Sequence, residues 1–209
     1  MLATNSISHA YNKSQRFNFP DIICNPNQTL LVLGSSGVGK TTLLHILAGI
    51  LKPQKGEVVI DGTSIYGQKT KALDIFRGQK IGLVFQKPHF VQSVSAQENL
   101  FLAQRMANLS TDNNRVSSLL DSLNIGHKAS AKAYQMSQGE QQRLSIARAL
   151  VNNPKLILAD EPTSALDDDN CQEVVTLLRH QAESVNAALV IVTHDQRLKD
   201  LFSDHIQLS

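Results

Sequence analysis

Residues 33–42 read Leu-Gly-Ser-Ser-Gly-Val-Gly-Lys-Thr-Thr, and this stretch restricts the possible folds more than any other in the chain. It completes the spacing G-x-x-x-x-G-K-[ST], in which glycines let successive backbone N–H groups turn inward with no Cβ in the way. A following helix points the positive end of its dipole at the same place, so such a loop cradles phosphates. The chemistry fits a nucleoside triphosphate with Mg²⁺, held by Gly34, Ser35, Ser36, Gly37, Val38, Gly39, Lys40, Thr41 and Thr42. Lys40 would reach the β and γ phosphates, and Thr41 the metal. The loop needs a strand before it and a helix after it. Residues 29–33 are β-branched and leucine-rich enough for a buried strand, and 41–51 are apolar enough for a buried helix. The alternative, a glycine-rich turn without a ligand, leaves the Lys-Thr pair with no role.

Further apolar runs at 81–85, 156–159 and 189–193 read as buried strands with helical patterns between them. That alternation predicts a largely parallel sheet flanked by helices. Residues 2–10 and 57–61 have the look of edge or antiparallel strands, the second running into an Asp61-Gly62 turn. From 87 to 134 strand-like alternation disappears. Helical spacing takes over at 95–106 and 114–123, which predicts a helical subdomain inserted into one domain spanning 1–209, with 126–133 as its return linker.

Composition narrows the function classes. The 209 residues suit one well-buried α/β domain, and 20 basic against 18 acidic residues leave a formal charge of +2 with no basic block to track a nucleic acid. Cys24 and Cys171 lie far apart and form no metal-like spacing, which predicts a reduced, cytoplasmic setting. The longest apolar stretches fall short of the roughly 18 residues of a membrane span, and residues 1–19 lack a signal-peptide core. Any work at a membrane therefore calls for another chain to cross it.

Two more stretches carry chemistry. Residues 156–161, Leu-Ile-Leu-Ala-Asp-Glu, are an apolar strand ending in adjacent carboxylates, and ligands of parallel sheets bind just beyond strand carboxyl ends. Asp160 would hold Mg²⁺ and Glu161 face the attacking water, a division of labour that phosphoryl transfer favours. Taken alone, the same pair also reads as solvated turn residues. Ser137 and Glu140 stand in capping-box spacing before an amphipathic helix, and Gly139 keeps its start small. This helix start is either an anion-binding surface or a capped end with nothing bound.

Phosphate loop, Gln86, Met136 to Arg143, Asp160-Glu161, Ser164 to Asp167 and His194 follow in an order that resembles the nucleotide-binding subunit of an ATP-binding cassette (ABC) transporter. The resemblance spans essentially the whole chain. It implies a P-loop NTPase core with an N-terminal antiparallel β portion and an inserted helical subdomain. It also implies that Tyr11 stacks on adenine and that Gln86 touches both Mg²⁺ and the water. Ser137, Gly139 and Glu140 would then contact the γ-phosphate held by a second copy, in a head-to-tail dimer with Asp167 at the interface. His194 would steady the phosphate. Lys40, Gln86, Glu161 and His194 are thus the implied catalytic set, with Thr41, Gln86 and Asp160 around the metal.

The chain departs from the family at the helix start, where Gln138 replaces a glycine and Glu140 the usual glutamine. A side chain at 138 either points away or crowds the phosphate. Short cassettes with Val84-Phe85-Gln86 and residues 161–167 as written here most resemble the lipoprotein-releasing, macrolide-export and cell-division group. That implies an ATPase at the inner face of the membrane, driving a separate transmembrane permease. The alternative is a regulatory or scaffolding ATPase whose dimerisation matters more than turnover. A DNA-repair or translation cassette is disfavoured, because neither a coiled-coil insertion nor a tandem cassette fits this length, and no nucleic-acid partner is expected.

Overall fold

Strand and helix alternate from one end of the chain to the other in the computed structural model, which describes residues 1–209 apart from 13, 14, 164–167, 203 and 209. The first third holds β1 (Leu2–Ala10), β2 (Arg16–Asn18), β3 (Ile23–Cys24), β4 (Thr29–Leu33), α1 (Lys40–Leu47), β5 (Lys55–Ile60) and β6 (Thr63–Ser64). Then come α2 (Thr70–Lys80), β7 (Ile81–Val84), α3 (Ala96–Met106), α4 (Asn113–Ser122) and α5 (Gln138–Leu150). The last are β8 (Leu156–Asp160), α6 (Asp168–Ser184), β9 (Ala188–Thr193) and β10 (His205–Gln207).

One sheet is parallel throughout, in the order β10-β4-β9-β8-β7. Its four expected strands form within a residue of where the apolar runs place them. The fifth, β10, is a three-residue edge strand with His205 and Gln207 exposed, and so gives no apolar signal. Alternate side chains feed two buried layers. Leu31, Leu33, Ile157, Ala159, Leu189 and Ile191 face one, and Leu30, Val32, Leu156, Leu158, Val190 and Val192 face the other. Burial on both faces explains why these strands read as continuous apolar runs rather than alternating ones.

The second sheet is antiparallel, β2-β1-β5-β6 with β3 also on β1. Asp61 and Gly62 both have positive φ, 52° and 75°, and join β5 to β6 as a tight hairpin, as the Asp-Gly pair predicts. The sheet shares the second layer with α1 through Leu2, Ile7, Val58 and Ile60.

Helix α1 ends earlier than the apolar run. Gly49 takes φ +68°, its N–H donates to the Ile46 carbonyl and that of Ile50 to His45, which closes a Schellman turn at Ala48. Helix α2 buries no residue completely and so offers no apolar stripe to read. In residues 87–134, α3 and α4 form where helical spacing puts them, and Leu100, Val116, Leu119 and Leu120 join the layer that holds Leu144 and Ile146 of α5. The expected return linker is tied down rather than loose: 126–128 and 133–135 wind into 3₁₀ turns, and Ala131 and Ala129 carbonyls accept from Ala96 and Gln97 at the start of α3. Both cysteines are free and buried.

Strand β7 and helix α5 approach closely at Gly82. A Cβ on Gly82 would stand 2.4 Å from the Ala149 carbonyl oxygen. Gly82→Ala should therefore lower unfolding free energy by about 1–3 kcal/mol in urea melts, the usual cost of overpacking.

Candidate functional site

The four parallel strands β4, β7, β8 and β9 all release their chains at one edge of the sheet. There they surround a cleft of about 930 Å³ lined by Tyr11, Gln15, Phe17, residues of the glycine loop, Gln86, Glu161 and His194. Of the nine expected phosphate-loop residues, Ser35, Ser36, Gly37, Gly39, Lys40, Thr41 and Thr42 face this cleft. Gly34 and Val38 lie behind it, where a Cβ on Gly34 would meet the Val38 side chain at 2.7 Å. Gly37 and Gly39 take φ of +88° and +95°, conformations that glycine adopts without strain. A Cβ on Gly37 would meet nothing within 4 Å, so its side facing the cleft is open to phosphate oxygens.

Lys40 begins α1 with its ammonium folded over the loop. It donates to the carbonyls of Gly34 at 2.8 Å and Ser35 at 3.0 Å, and it pairs with Glu161 at 3.6 Å. Both side chains are nearly buried, at 9% and 12% exposed, so this pair is weakly screened.

Glu161 lies one residue past β8 at φ +48°, a backbone state sparsely used by non-glycine residues and found at functional sites. Besides Lys40, three groups hold its carboxylate: the Thr193 hydroxyl donates at 2.9 Å, the His194 N–H at 3.3 Å, and the His194 ring Nδ1 lies at 2.9 Å. Asp195 fixes the turn that carries His194. Its N–H donates to Thr193 Oγ1, and its carboxyl accepts from the Arg197 backbone N–H and twice from the Arg197 guanidinium, which holds the carboxyl pKa down at about 2. The carboxyl also meets the Thr163 hydroxyl at 3.3 Å, which links the ends of β8 and β9.

Asp160 ends β8 beside Thr41. Its Oδ1 is buried without a hydrogen-bond partner among the described residues. Burial, and then the neighbouring Glu161 charge, push its carboxyl above the usual range. An orphaned carboxylate oxygen next to a loop hydroxyl fits a divalent cation that takes one carboxylate, one hydroxyl and phosphate oxygens. Among the described residues no cluster of three or more His, Cys, Asp or Glu forms a self-contained metal cage.

Tyr11 follows β1 at the rim, its ring 55% exposed and its hydroxyl 3.3 Å from Thr42 Oγ1. Phe17, which lines the cleft, and Thr193, buried behind Glu161, shape the site without belonging to a motif. Phe17 of β2 stands edge-on to Tyr11 at 6.3 Å, stacks on Phe19, and presses on the loop where a Gly39 Cβ would be, 2.6 Å away. Its signal in the sequence is only the Phe-Asn-Phe alternation of a half-buried strand. Thr193 reads simply as the last residue of an apolar run.

Ser137, Gly139 and Glu140 are not part of this cleft. Ser137 caps α5: its hydroxyl accepts from the Glu140 N–H, and its own N–H donates to Glu140 Oε2 at 2.7 Å. The other Glu140 oxygen lies 3.4 Å from both Lys128 and His127. The Glu140 carboxylate is thus used within the chain, while Ser137, Gln138 and Gly139 are exposed. Asp167 lies outside the described residues.

A glycine loop and an acidic strand end at the carboxyl edge of a parallel sheet define the P-loop nucleoside triphosphatases. Within that class, residues 18–164 match the family described as ABC transporter, and the chain belongs to it as an ATP-binding subunit. It is 36% identical over 200 residues to the lipoprotein-releasing system ATP-binding protein LolD of Bacteroides thetaiotaomicron, covering 95% of this chain and 92% of that one. LolD of Shewanella denitrificans is 35% identical over 211 residues, covering 95% and 88%. Among solved structures, a dimeric ATP-binding cassette in a post-hydrolysis state bound to ADP and Pi superposes with a TM-score of 0.86 at 30% identity, covering all of this chain and 94% of its own.

Asp160→Asn should separate stability from binding. The raised carboxyl pKa means that ionised Asp160 destabilises the ligand-free chain at every pH above the ordinary aspartate range. The amide should therefore raise the neutral-pH melting temperature of the free protein, while the further rise on adding Mg-ATP disappears. Thr193→Val, close in shape, removes the hydrogen bond to Glu161 and the acceptor for the Asp195 N–H, and should lower kcat at least about tenfold with little change in KM for ATP.

Proposed function

We propose that this chain hydrolyses ATP to drive a separate transmembrane protein, in export, lipoprotein release or mechanical signalling across the membrane. The observation that carries the reading is the Glu161 carboxylate, held in the cleft by Lys40, Thr193 and His194 and placed one residue beyond the metal-fitting Asp160. In this reading Tyr11 stacks on the adenine, and the loop N–H groups and Lys40 bind the triphosphate. Lys40 exchanges Glu161 for phosphate oxygens when the nucleotide enters. Glu161 takes the proton of the attacking water, and His194 steadies the water and γ-phosphate. Mg²⁺, held by Thr41 and Asp160 with Gln86 nearby, supplies charge neutralisation for the phosphates when bound.

The exposed, capped start of α5 supports a second role. Ser137 and Gly139 lie apart from the cleft of their own chain, so they serve the phosphate of a second copy, arranged head to tail. The dimeric cassettes among the similar structures support that arrangement. Among the described residues no helix is long and apolar enough to cross a membrane, and the LolD relatives favour lipoprotein release within the export group. The groove between α2, β7, α3 and α5, lined in part by Phe85, Leu83 and Met106, is where the transmembrane partner docks and Gln86 reports to it.

Glu161→Gln keeps the shape and loses the base. It should cut ATP hydrolysis at least about a hundredfold while leaving ATP binding intact, and ATP should shift the variant to a dimer on size-exclusion chromatography. Wild-type turnover in this variant would remove Glu161 from its role.

A further inference from the structure

The basic side chains at the functional edge and around the helices mostly face a carboxylate: Lys40 meets Glu161, Arg77 Asp74, Lys80 Asp61, Lys128 Glu140, Arg143 Glu173 and Arg197 Asp195. Arg148, on the outer turn of α5, is the exception that matters. It is half-buried, with its guanidinium 4.9 Å above the Phe90 ring, and one of its N–H groups donates to the His89 carbonyl. Among the described residues none accepts from its other donors, and none offers it a carboxylate. Burial lowers its affinity for a proton, and no negative neighbour opposes that effect. An arginine planted this way holds a planar fork of donors that matches a carboxylate. Leaving it half-desolvated and uncompensated costs stability in the isolated chain.

Its surroundings say where the missing anion comes from. Arg148 opens onto a groove of about 460 Å³ whose walls include Leu83, Phe85, Ala103 and Met106. Met106 is 81% exposed, unusual for so apolar a side chain. Among the described residues that line the groove, Asp74 is the one acid, and it is already bonded to Arg77 at 2.7 Å. The groove therefore presents apolar surface and one unmatched positive charge, which is complementary to an apolar segment bearing a single acid.

We infer that Arg148 anchors the transmembrane partner by receiving an aspartate or glutamate from a short amphipathic segment, whose apolar face packs on Phe85 and Met106. This rests on the proposed coupling to a membrane protein and adds what that partner must carry. The acid supplies the charge that the chain itself withholds, so the groove is satisfied only in the complex. A polar or basic segment of the same shape leaves Arg148 buried and unpaired, which rejects wrong partners.

The test uses the tagged full chain in native membranes, with benzoylphenylalanine in place of Met106 for photo-crosslinking, and mass spectrometry of the crosslinked peptide. The expected peptide comes from a transmembrane protein and has an Asp or Glu within one helical turn of the crosslink. Arg148→Met should lower crosslinking by about thirtyfold or more, while the purified variant binds Mg-ATP as the wild type does. Arg148→Glu should abolish it, and reversing the partner's acid to Arg should restore it in that background. A peptide without an acid, wild-type crosslinking by Arg148→Met, failure of the double reversal, or a crosslink to another copy of this chain overturns the inference and leaves ATP-driven coupling standing. Absence of any crosslink from position 106 to a membrane protein when Arg148 is intact overturns the coupling itself, and the inference with it.

Discussion

Strand β9 is the constraint on which the site depends. All six of its residues are buried, and it hydrogen-bonds β4 on one side and β8 on the other. Its register sets Thr193 opposite Leu33, the last residue before the glycine loop, and Val192 opposite Asp160. The loop, the metal-fitting aspartate and the groups that hold Glu161 are thereby brought level at one sheet edge. A slip of one residue would turn every side chain of β9 to the opposite layer. The two buried layers forbid it, so hydrophobic packing fixes the geometry of a polar site some residues beyond it.

Much of this was legible in the chain. Residues that must do chemistry with backbone atoms or carboxylates at strand ends leave short, ordered patterns, and Gly34 to Thr42, Asp160-Glu161 and the Ser137–Glu140 cap all stood out that way. Thr193, Phe17 and Arg148 did not. Each is an ordinary residue for its element: a β-branched strand end, an aromatic on an edge strand, an arginine in an amphipathic helix. What makes them matter is a neighbour far away in sequence, Glu161 for the first, Gly39 for the second and Phe90 for the third. Periodicity cannot carry that information.

The elements missed in the sequence share another cause. Helix α2 lies on the surface with no fully buried residue, and β10 is three residues at an edge, so neither pays the compositional tribute that core elements do. The reverse holds for 126–133, whose small polar residues look like slack but are fastened by backbone bonds to the start of α3. Backbone pairing of this kind needs no particular side chains and leaves no trace in composition.

Phe17 joins the two ends of the cleft. One edge of its ring rests on Gly39 among the phosphate-facing glycines, and its other neighbour is Tyr11 at the rim. In the proposed reading, a base settled against Tyr11 steadies the floor under the phosphates through Phe17, and filling the floor steadies the aromatic wall. In that reading a nucleoside or a bare polyphosphate engages only half of this arrangement. The intact nucleotide engages both halves at once, and so would gain more than its two parts in sum.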